Sequence, residues 1–214
     1  QENNWNIKTD IKASGLVDKF VSFTFKAESK GLLDDGKLKP EIYNFYYEIK
    51  NKNKSREASI KYNDGIPISL KANPPYRGND ILSKDDLFKY GSNSSDPNSA
   101  FVVSGIYENP CLESSRSFDG VRSYEIKMSE RTKKTKLIIN ENKYEIILCK
   151  GSFNPIVGYE ESDFLETASE KNSIAYWYKY FDKEKMWVPL KFTIDTPIGA
   201  LVVKANKITN NKKK

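Results

Sequence analysis

Hydrophobic and polar residues alternate with a period of two along much of this chain. From Val21 to Ala27 every second residue is apolar and the residues between them are polar or charged, and Tyr43–Ile49 follows a similar pattern. Because successive side chains of a β-strand point to opposite faces of its sheet, this alternation predicts strands with one buried face. About ten strands are predicted, at Ile7–Ala13, Phe20–Ala27, Tyr43–Ile49, Ala58–Tyr62, Val121–Met128, Thr135–Ile139, Tyr144–Cys149, Ile174–Phe181, Trp187–Ile194 and Ala200–Ala205.

Tight turns separate these segments. Asp35-Gly36, Asp64-Gly65 and Asp119-Gly120 are dipeptides that tolerate a positive φ, and Asn140–Asn142 is expected to close a further hairpin. Short connections between consecutive strands favour antiparallel neighbours. We therefore expect an all-β, mainly antiparallel fold, either a strongly curved meander sheet or an open β-barrel. Pro189 lies inside a strand pattern, which predicts an edge strand or a bulge at that point.

One or two short helices are expected to pack on this sheet. Asp96 is a suitable N-cap, Pro97 suits the first helical position, and Pro110 would end the helix. A weaker helical turn is predicted from Leu82 to Tyr90.

The chain is expected to form a single domain. Its 214 residues are enough for one core, and no internal repeat or linker marks a second one. The predicted domain covers residues 1–209, and the Lys- and Asn-rich residues 210–214 are expected to form a basic C-terminal tail.

The balance of charges argues against a nucleic-acid partner. Thirty-five Lys and Arg against 29 Asp and Glu give a net charge of +6, but the basic residues are scattered and lack interleaved aromatic rings. No apolar run reaches the roughly 18 residues that cross a bilayer, so we do not expect a transmembrane protein. The chain begins with Gln1 rather than Met, which is what a mature exported protein shows after its signal peptide is removed.

Two cysteines and the absence of histidine limit the chemistry of the chain. Without histidine it lacks the commonest general base and metal ligand, so we expect no enzyme, no metal and no cofactor. Cys111 and Cys149 stand 38 positions apart without further ligands, which disfavours zinc. Glu160, Glu161 and Asp163 lack the spacing of a calcium loop. In an exported chain the two cysteines favour a disulfide, with two buried free thiols as the alternative.

Several motifs occur in a fixed order in the middle of the chain, namely Pro110-Cys111, Ser117–Tyr124 with its Phe-Asp-Gly turn, Tyr144–Cys149, and Phe153–Tyr159 with its Pro-Ile-Val-Gly segment. Flanking motifs extend this order over most of the chain, and they are Tyr62–Pro67, Asp96–Ala100, and Trp177, Asp182, Pro189 and Gly199. This order resembles the alphaproteobacterial branch of an exported family catalogued as domain of unknown function 3108. The resemblance implies a periplasmic or cell-envelope location and a bridge between Cys111 and Cys149, and it brings no catalytic residues.

Aromatic residues are concentrated in the last two long predicted strands. A half-open sheet with aromatic walls can hold an acyl chain or another apolar molecule. The alternative is that one ring-rich face belongs to the core and the other to an interface. The predicted ligand-binding residues are Tyr176, Trp177, Tyr178, Tyr180 and Trp187.

These features lead to two functional hypotheses. We expect a monomeric, non-catalytic periplasmic protein that binds an apolar or lipid-like ligand in a curved β-sheet. The alternative is an envelope interaction or assembly module without a small-molecule ligand. Such a module would dock a partner protein through an exposed strand edge or an aromatic patch.

Overall fold

The computed structural model describes residues 4–12, 22–34, 37–76, 83–112 and 114–208. The described chain is mainly antiparallel β-structure with a strongly curled half-barrel sheet, which confirms the predicted fold class. It divides into two compact units, each built from three segments. The first unit is Gln1–Phe101, Ser115–Glu125 and Pro155–Tyr159, and the second is Val102–Ser114, Ile126–Asn154 and Glu160–Lys214.

The first unit contains a five-stranded antiparallel sheet in chain order. Its strands are β1 (Asn4–Lys12), β2 (Phe23–Asp34), β3 (Lys37–Ile49), β4 (Lys54–Asn63) and β5 (Ile66–Asn73). The alternating pattern of these strands directs apolar residues to one face. There Ala27, Tyr43, Ile60 and Tyr62 form a buried cluster, against which Phe45 packs.

Turn residues act as the sequence predicts. Asp64 and Gly65 have φ values of 49° and 75° at the turn between β4 and β5. The carboxylate of Asp119 accepts hydrogen bonds from the backbone N–H groups of Val121 and Arg122, at 2.9 Å and 2.6 Å. The Asp119-Gly120 pair is therefore a turn, as predicted. The predicted Asp35-Gly36 turn and the tail over 210–214 lie outside the described residues.

The second sheet has the order β12-β11-β10-β9-β8-β7, and β6 pairs with β11. Its strands are β6 (Val103–Ser104), β7 (Ser115–Phe118), β8 (Ser123–Ile139), β9 (Asn142–Val157), β10 (Ile174–Phe181), β11 (Met186–Thr196) and β12 (Gly199–Lys204). The two strands predicted at Val121–Met128 and Thr135–Ile139 are parts of the single strand β8.

The bulge predicted at Pro189 is confirmed. Tyr178 lies opposite Pro189 and Trp177 lies opposite Lys191, so Leu190 is the extra residue on β11. A bulge lets an interior strand accommodate a proline that cannot donate to the ladder.

The described residues include two short α-helices, α1 (Lys84–Gly91) and α2 (Asp163–Ser169). Helix α1 confirms the prediction at Leu82–Tyr90, whereas α2 was not predicted. No helix in the described ranges is both long and apolar enough to cross a membrane.

The helix predicted from Asp96 to Pro110 is wrong. This segment consists of turns, the short strand β6 and the 3-10 turn Pro110–Leu112. The Asp96 carboxylate does accept the backbone N–H groups of Asn98 and Ser99, as an N-cap would. The Asn98 amide, however, donates to the backbone carbonyl of Ile7 in β1 at 2.9 Å. The Asn98 bond therefore ties this segment to β1, while the local bonds of Asp96 offer the backbone an alternative to a helix.

Candidate functional site

The two cysteines form the disulfide that the sequence predicts. Cys111 lies in the 3-10 turn Pro110–Leu112 and Cys149 lies in β9. Their sulfurs are 1.99 Å apart and their Cα atoms 5.2 Å apart. Both side chains are at most 1% exposed, so the bridge is a buried structural link within the second unit.

Two of the predicted ligand-binding residues, Tyr176 and Tyr178, are core residues. They are 3% and 1% exposed, and their ring centroids lie 5.8 Å apart on one face of β10. The Tyr176 ring also contacts the ring of Phe192 at 5.9 Å. Burial raises the pKa of the Tyr178 phenol well above its usual value, because the charged form would lose its hydration. These two rings therefore belong to the core on that face of β10.

Trp177 projects to the opposite face of β10. It packs against a buried cluster of Leu137, Ile139, Ile146 and Leu190. The ammonium group of Lys191 lies 4.2 Å from the centroid of the Trp177 ring, which is a favourable cation–π contact. The indole is therefore partly buried by contacts within the chain.

Tyr180 and Trp187 contact one another across the β10–β11 hairpin. Their ring centroids are 4.9 Å apart, and the indole N–H of Trp187 donates a 2.9 Å hydrogen bond to the backbone carbonyl of Tyr107. The five predicted residues are thus divided between both faces of β10 and its partner strand. A concavity of about 740 Å³ occurs in the first unit and is lined by none of them. Ligand binding by these aromatic residues stays a prediction.

Strand β12, at the end of the second sheet, combines an unpaired edge with exposed apolar side chains. Within the described ranges β12 pairs only with β11, so its other edge is unpaired. Leu201 and Val202 are 46% and 52% exposed, and they project to opposite faces of the sheet. Ile198, at the tip of the β11–β12 hairpin, is 98% exposed. Apolar side chains are therefore exposed on both faces and at the tip.

The register of the hairpin shows which backbone groups of β12 are free. The backbone N–H of Ala205 donates to the carbonyl of Leu190, so these two residues form a hydrogen-bonded pair. Along an antiparallel ladder, hydrogen-bonded pairs alternate with pairs that are not hydrogen-bonded. Val203 and Leu201 therefore bond to β11 in the same way. The N–H and C=O groups of the residues between them, at positions 200, 202 and 204, point away from β11.

We call the exposed side of Ile198–Lys204 the β12 edge. The sequence correctly predicted a strand here, but a run of Ala, Leu, Val and Val is typical of a strand buried on both faces. Only the position of β12 at the end of the sheet reveals that this run is exposed. Sequence reasoning therefore found the element and missed the surface.

Acidic residues do not assemble a cation site in the part of the chain that the structure describes. No group of three or more His, Cys, Asp or Glu side chains is placed there to hold a metal ion. Among the predicted acidic cluster, Asp163 starts helix α2, whose N-cap hydroxyl on Ser162 accepts the backbone N–H of Leu165 at 3.3 Å. An acidic first turn stabilises a helix N-terminus.

No protein-family model matches this chain, and no curated protein sequence or solved structure matches it significantly. The resemblance to domain of unknown function 3108 and the periplasmic location therefore stay predictions.

Proposed function

We propose that this chain is a non-catalytic cell-envelope protein whose β12 edge docks an extended, apolar segment of a partner protein. The observation that supports this proposal is the apolar, unpaired edge at Ile198–Lys204. Of the two functional hypotheses drawn from the sequence, this is the interaction module.

The backbone of β12 supplies the affinity in this proposal. The outward N–H and C=O groups at Ala200, Val202 and Lys204 can pair with an added strand, as in β-strand addition. Proteins usually protect such edges with charges, prolines or bulges. In β12 only the last residue, Lys204, carries a charge.

The side chains of β12 supply the specificity. Leu201 and Val203 project to one face of the sheet, whereas Ala200 and Val202 project to the other. A partner strand would bring its own side chains beside both pairs. Each buried apolar side chain would contribute about 1.5–3 kcal/mol before the cost of ordering the partner. The preferred partner segment is therefore extended and apolar on both faces.

The envelope location in this proposal rests on the disulfide. A buried bridge between Cys111 and Cys149 requires an oxidising compartment to form and persist. The lipid-carrier hypothesis has less support, because Tyr176 and Tyr178 fill the sheet interior that an acyl chain would need.

The proposal is tested by photo-crosslinking in the native cells. A photoreactive amino acid replaces Leu201, and a matched control carries it at Ile106, which is 66% exposed in the same unit. We expect a discrete adduct from position 201 that position 106 does not give. Adding Val202→Pro should reduce this adduct about tenfold, which corresponds to roughly 1.4 kcal/mol.

Val202→Pro is a specific probe because the N–H of residue 202 points away from β11. Proline at such an edge position removes a free donor and leaves the β11–β12 ladder intact. Thermal unfolding should therefore be nearly unchanged. Absence of an adduct at position 201, or an adduct that Val202→Pro leaves undiminished, would contradict the proposal.

A further inference from the structure

A groove crosses the five-stranded sheet of the first unit. Its volume is about 740 Å³, and three consecutive residues of each strand line it. The middle residues of these triplets are Thr9, Ala27, Phe45, Ala58 and Ala72. The register places these five residues directly opposite one another, so they form one row across the sheet.

The middle row points its side chains away from the groove. The Thr9 hydroxyl donates to the side chain of Asn98, while Ala27 and Phe45 belong to the packed apolar face. Side chains alternate between faces along a strand, so the residues before and after each middle residue project to the opposite face. The groove therefore lies on the solvent face, with backbone as its floor and two rows of side chains as its walls.

The two walls consist mainly of polar and charged residues, although most of the surface that lines the groove is apolar. Four spacings between five strands, at about 4.8 Å each, give each wall a length of about 19 Å. The first wall is Lys8, Glu28, Asn44, Ser59 and Lys71. The second wall is Asp10, Lys26, Tyr46, Glu57 and Asn73.

Positive and negative charges balance in the groove, because the walls together hold three lysines and three carboxylates. The Lys8 ammonium pairs with the Glu28 carboxylate at 3.3 Å. Asp10, Lys26 and Lys71 form no ion pair with any residue that the structure describes. Donors and acceptors therefore remain available to a ligand at both ends of the groove.

Tyr46 provides the one aromatic surface of the walls. Its side chain lies on the central strand β3 and is 36% exposed. An aromatic ring with a polar tip suits a ligand that has both C–H faces and hydroxyl groups. Tyr46 is also the only wall residue that offers a large apolar surface.

We propose that this groove binds a neutral, polyhydroxylated ligand, namely a glycan chain that runs across the strands. Hydroxyl groups both donate and accept hydrogen bonds, so they match neighbouring ammonium, carboxylate and amide groups. The six charged groups along the walls disfavour a lipid, and their balance of signs disfavours a polyanion. The apolar part of the lining suits the C–H faces of sugar rings. Strand addition of a peptide is disfavoured because the backbone groups of the three inner strands are already paired within the sheet.

The test is binding of the native chain to an array of neutral oligosaccharides, with a displayed peptide library screened in parallel. We expect a group of neutral glycans to bind. Tyr46→Ala should weaken their binding about tenfold, which corresponds to roughly 1.4 kcal/mol of lost ring contact. Lys26→Ala should weaken it as well, whereas Lys61→Ala on the same face of β4 but outside the groove should not.

Three outcomes would overturn the proposal. The first is that no glycan binds the native chain more tightly than the Tyr46→Ala variant. The second is that only acidic glycans bind and only Lys26→Ala weakens them. The third is that peptides bind the groove while glycans do not. Circular dichroism of each variant shows whether the sheet is intact, and Tyr46→Phe, which keeps the ring, should retain most of the binding.

Discussion

Asp96 is a buried carboxylate that organises the turn after α1. Its oxygens accept hydrogen bonds from the Ser29 hydroxyl at 2.5 Å, the Ser99 hydroxyl, and the backbone N–H groups of Asn98 and Ser99. Burial raises the pKa of Asp96 above its ordinary value of 3.8, against the opposing effect of these hydrogen bonds. The folded chain therefore holds this proton to a higher pH than the unfolded chain does.

The pH dependence of stability should reveal this carboxyl group. Because the folded state binds the proton more tightly, the contribution of Asp96 to stability is largest below pH 3.8 and falls as the pH rises through the folded-state pKa. Asp96→Asn cannot titrate and keeps one oxygen acceptor. We expect the native chain to lose stability relative to Asp96→Asn as the pH rises above 3.8, measured by urea unfolding. A constant difference between the two chains would contradict the raised pKa.

Removing the acceptor altogether provides the matched comparison. Asp96→Ala leaves buried donors of Ser29, Asn98 and Ser99 without their partner, which should cost about 3 kcal/mol. A loss much smaller than about 3 kcal/mol would show that water replaces the carboxylate.

The sequence predicted the short-range hydrogen bonds of Asp96 better than it predicted the structure of the segment around it. Asp96 was predicted to accept backbone N–H groups, and it does, but the segment after it is a turn rather than a helix. Asp96 also bonds to Ser29, and Asn98 bonds to Ile7, across 67 and 91 positions of the chain. Local patterns contain no information about bonds of this range.

At the scale of the element, the β8–β9 hairpin offers a test of turn geometry. Asn140 and Glu141 connect the strands with φ values of 45° and 65°, so both are in the left-handed region. Glycine adopts this region without the steric cost that Glu141 carries. We expect Glu141→Gly to raise the free energy of unfolding by about 0.5–1 kcal/mol.

A glycine elsewhere in the hairpin should have the opposite effect. Lys143 is exposed within β9, where glycine weakens a strand, so Lys143→Gly should lower the free energy of unfolding by about 0.5–1 kcal/mol. Urea unfolding measures both variants. If Glu141→Gly also destabilises the chain, the steric cost proposed for Glu141 in the left-handed region is wrong.

Alternation predicted the strands that bury one face. It missed strands in which apolar residues also lie on the exposed face. Strand β5 contains Pro67 and the 59% exposed Ile68, and it was not predicted. The strand predicted at Ala200–Ala205 is present as β12, but its pattern did not show that it forms an exposed edge. The walls of the groove depend on the register of five strands, and the pattern within one strand cannot supply that register.

At the scale of the whole molecule, the two compact units alternate along the chain in six segments. Neither unit is a continuous stretch of the chain. The single domain over residues 1–209 stays a prediction. Both cysteines belong to the second unit. The disulfide closes a loop of 38 positions that includes segments of both units.

Removing the disulfide should therefore destabilise the molecule. In the loop-entropy model a closed loop of this length contributes about 4 kcal/mol, mainly by restricting the unfolded chain. We expect Cys111→Ala combined with Cys149→Ala to lower the free energy of unfolding by about this amount in urea. Alanine is chosen because both side chains are buried, and a hydroxyl would add an unsatisfied polar group.

Reductant separates the effect of the bridge from the effect of the substitutions. The native chain should gain two hydrogen atoms in mass on reduction and unfold at a lower urea concentration, because its unfolded state regains the lost freedom. The double variant has no bridge, so reductant should leave its unfolding midpoint unchanged. A native chain whose mass is insensitive to reductant after unfolding would contradict the disulfide. It would also remove the basis for placing this protein in an oxidising compartment, and with it the envelope location of the proposed partner.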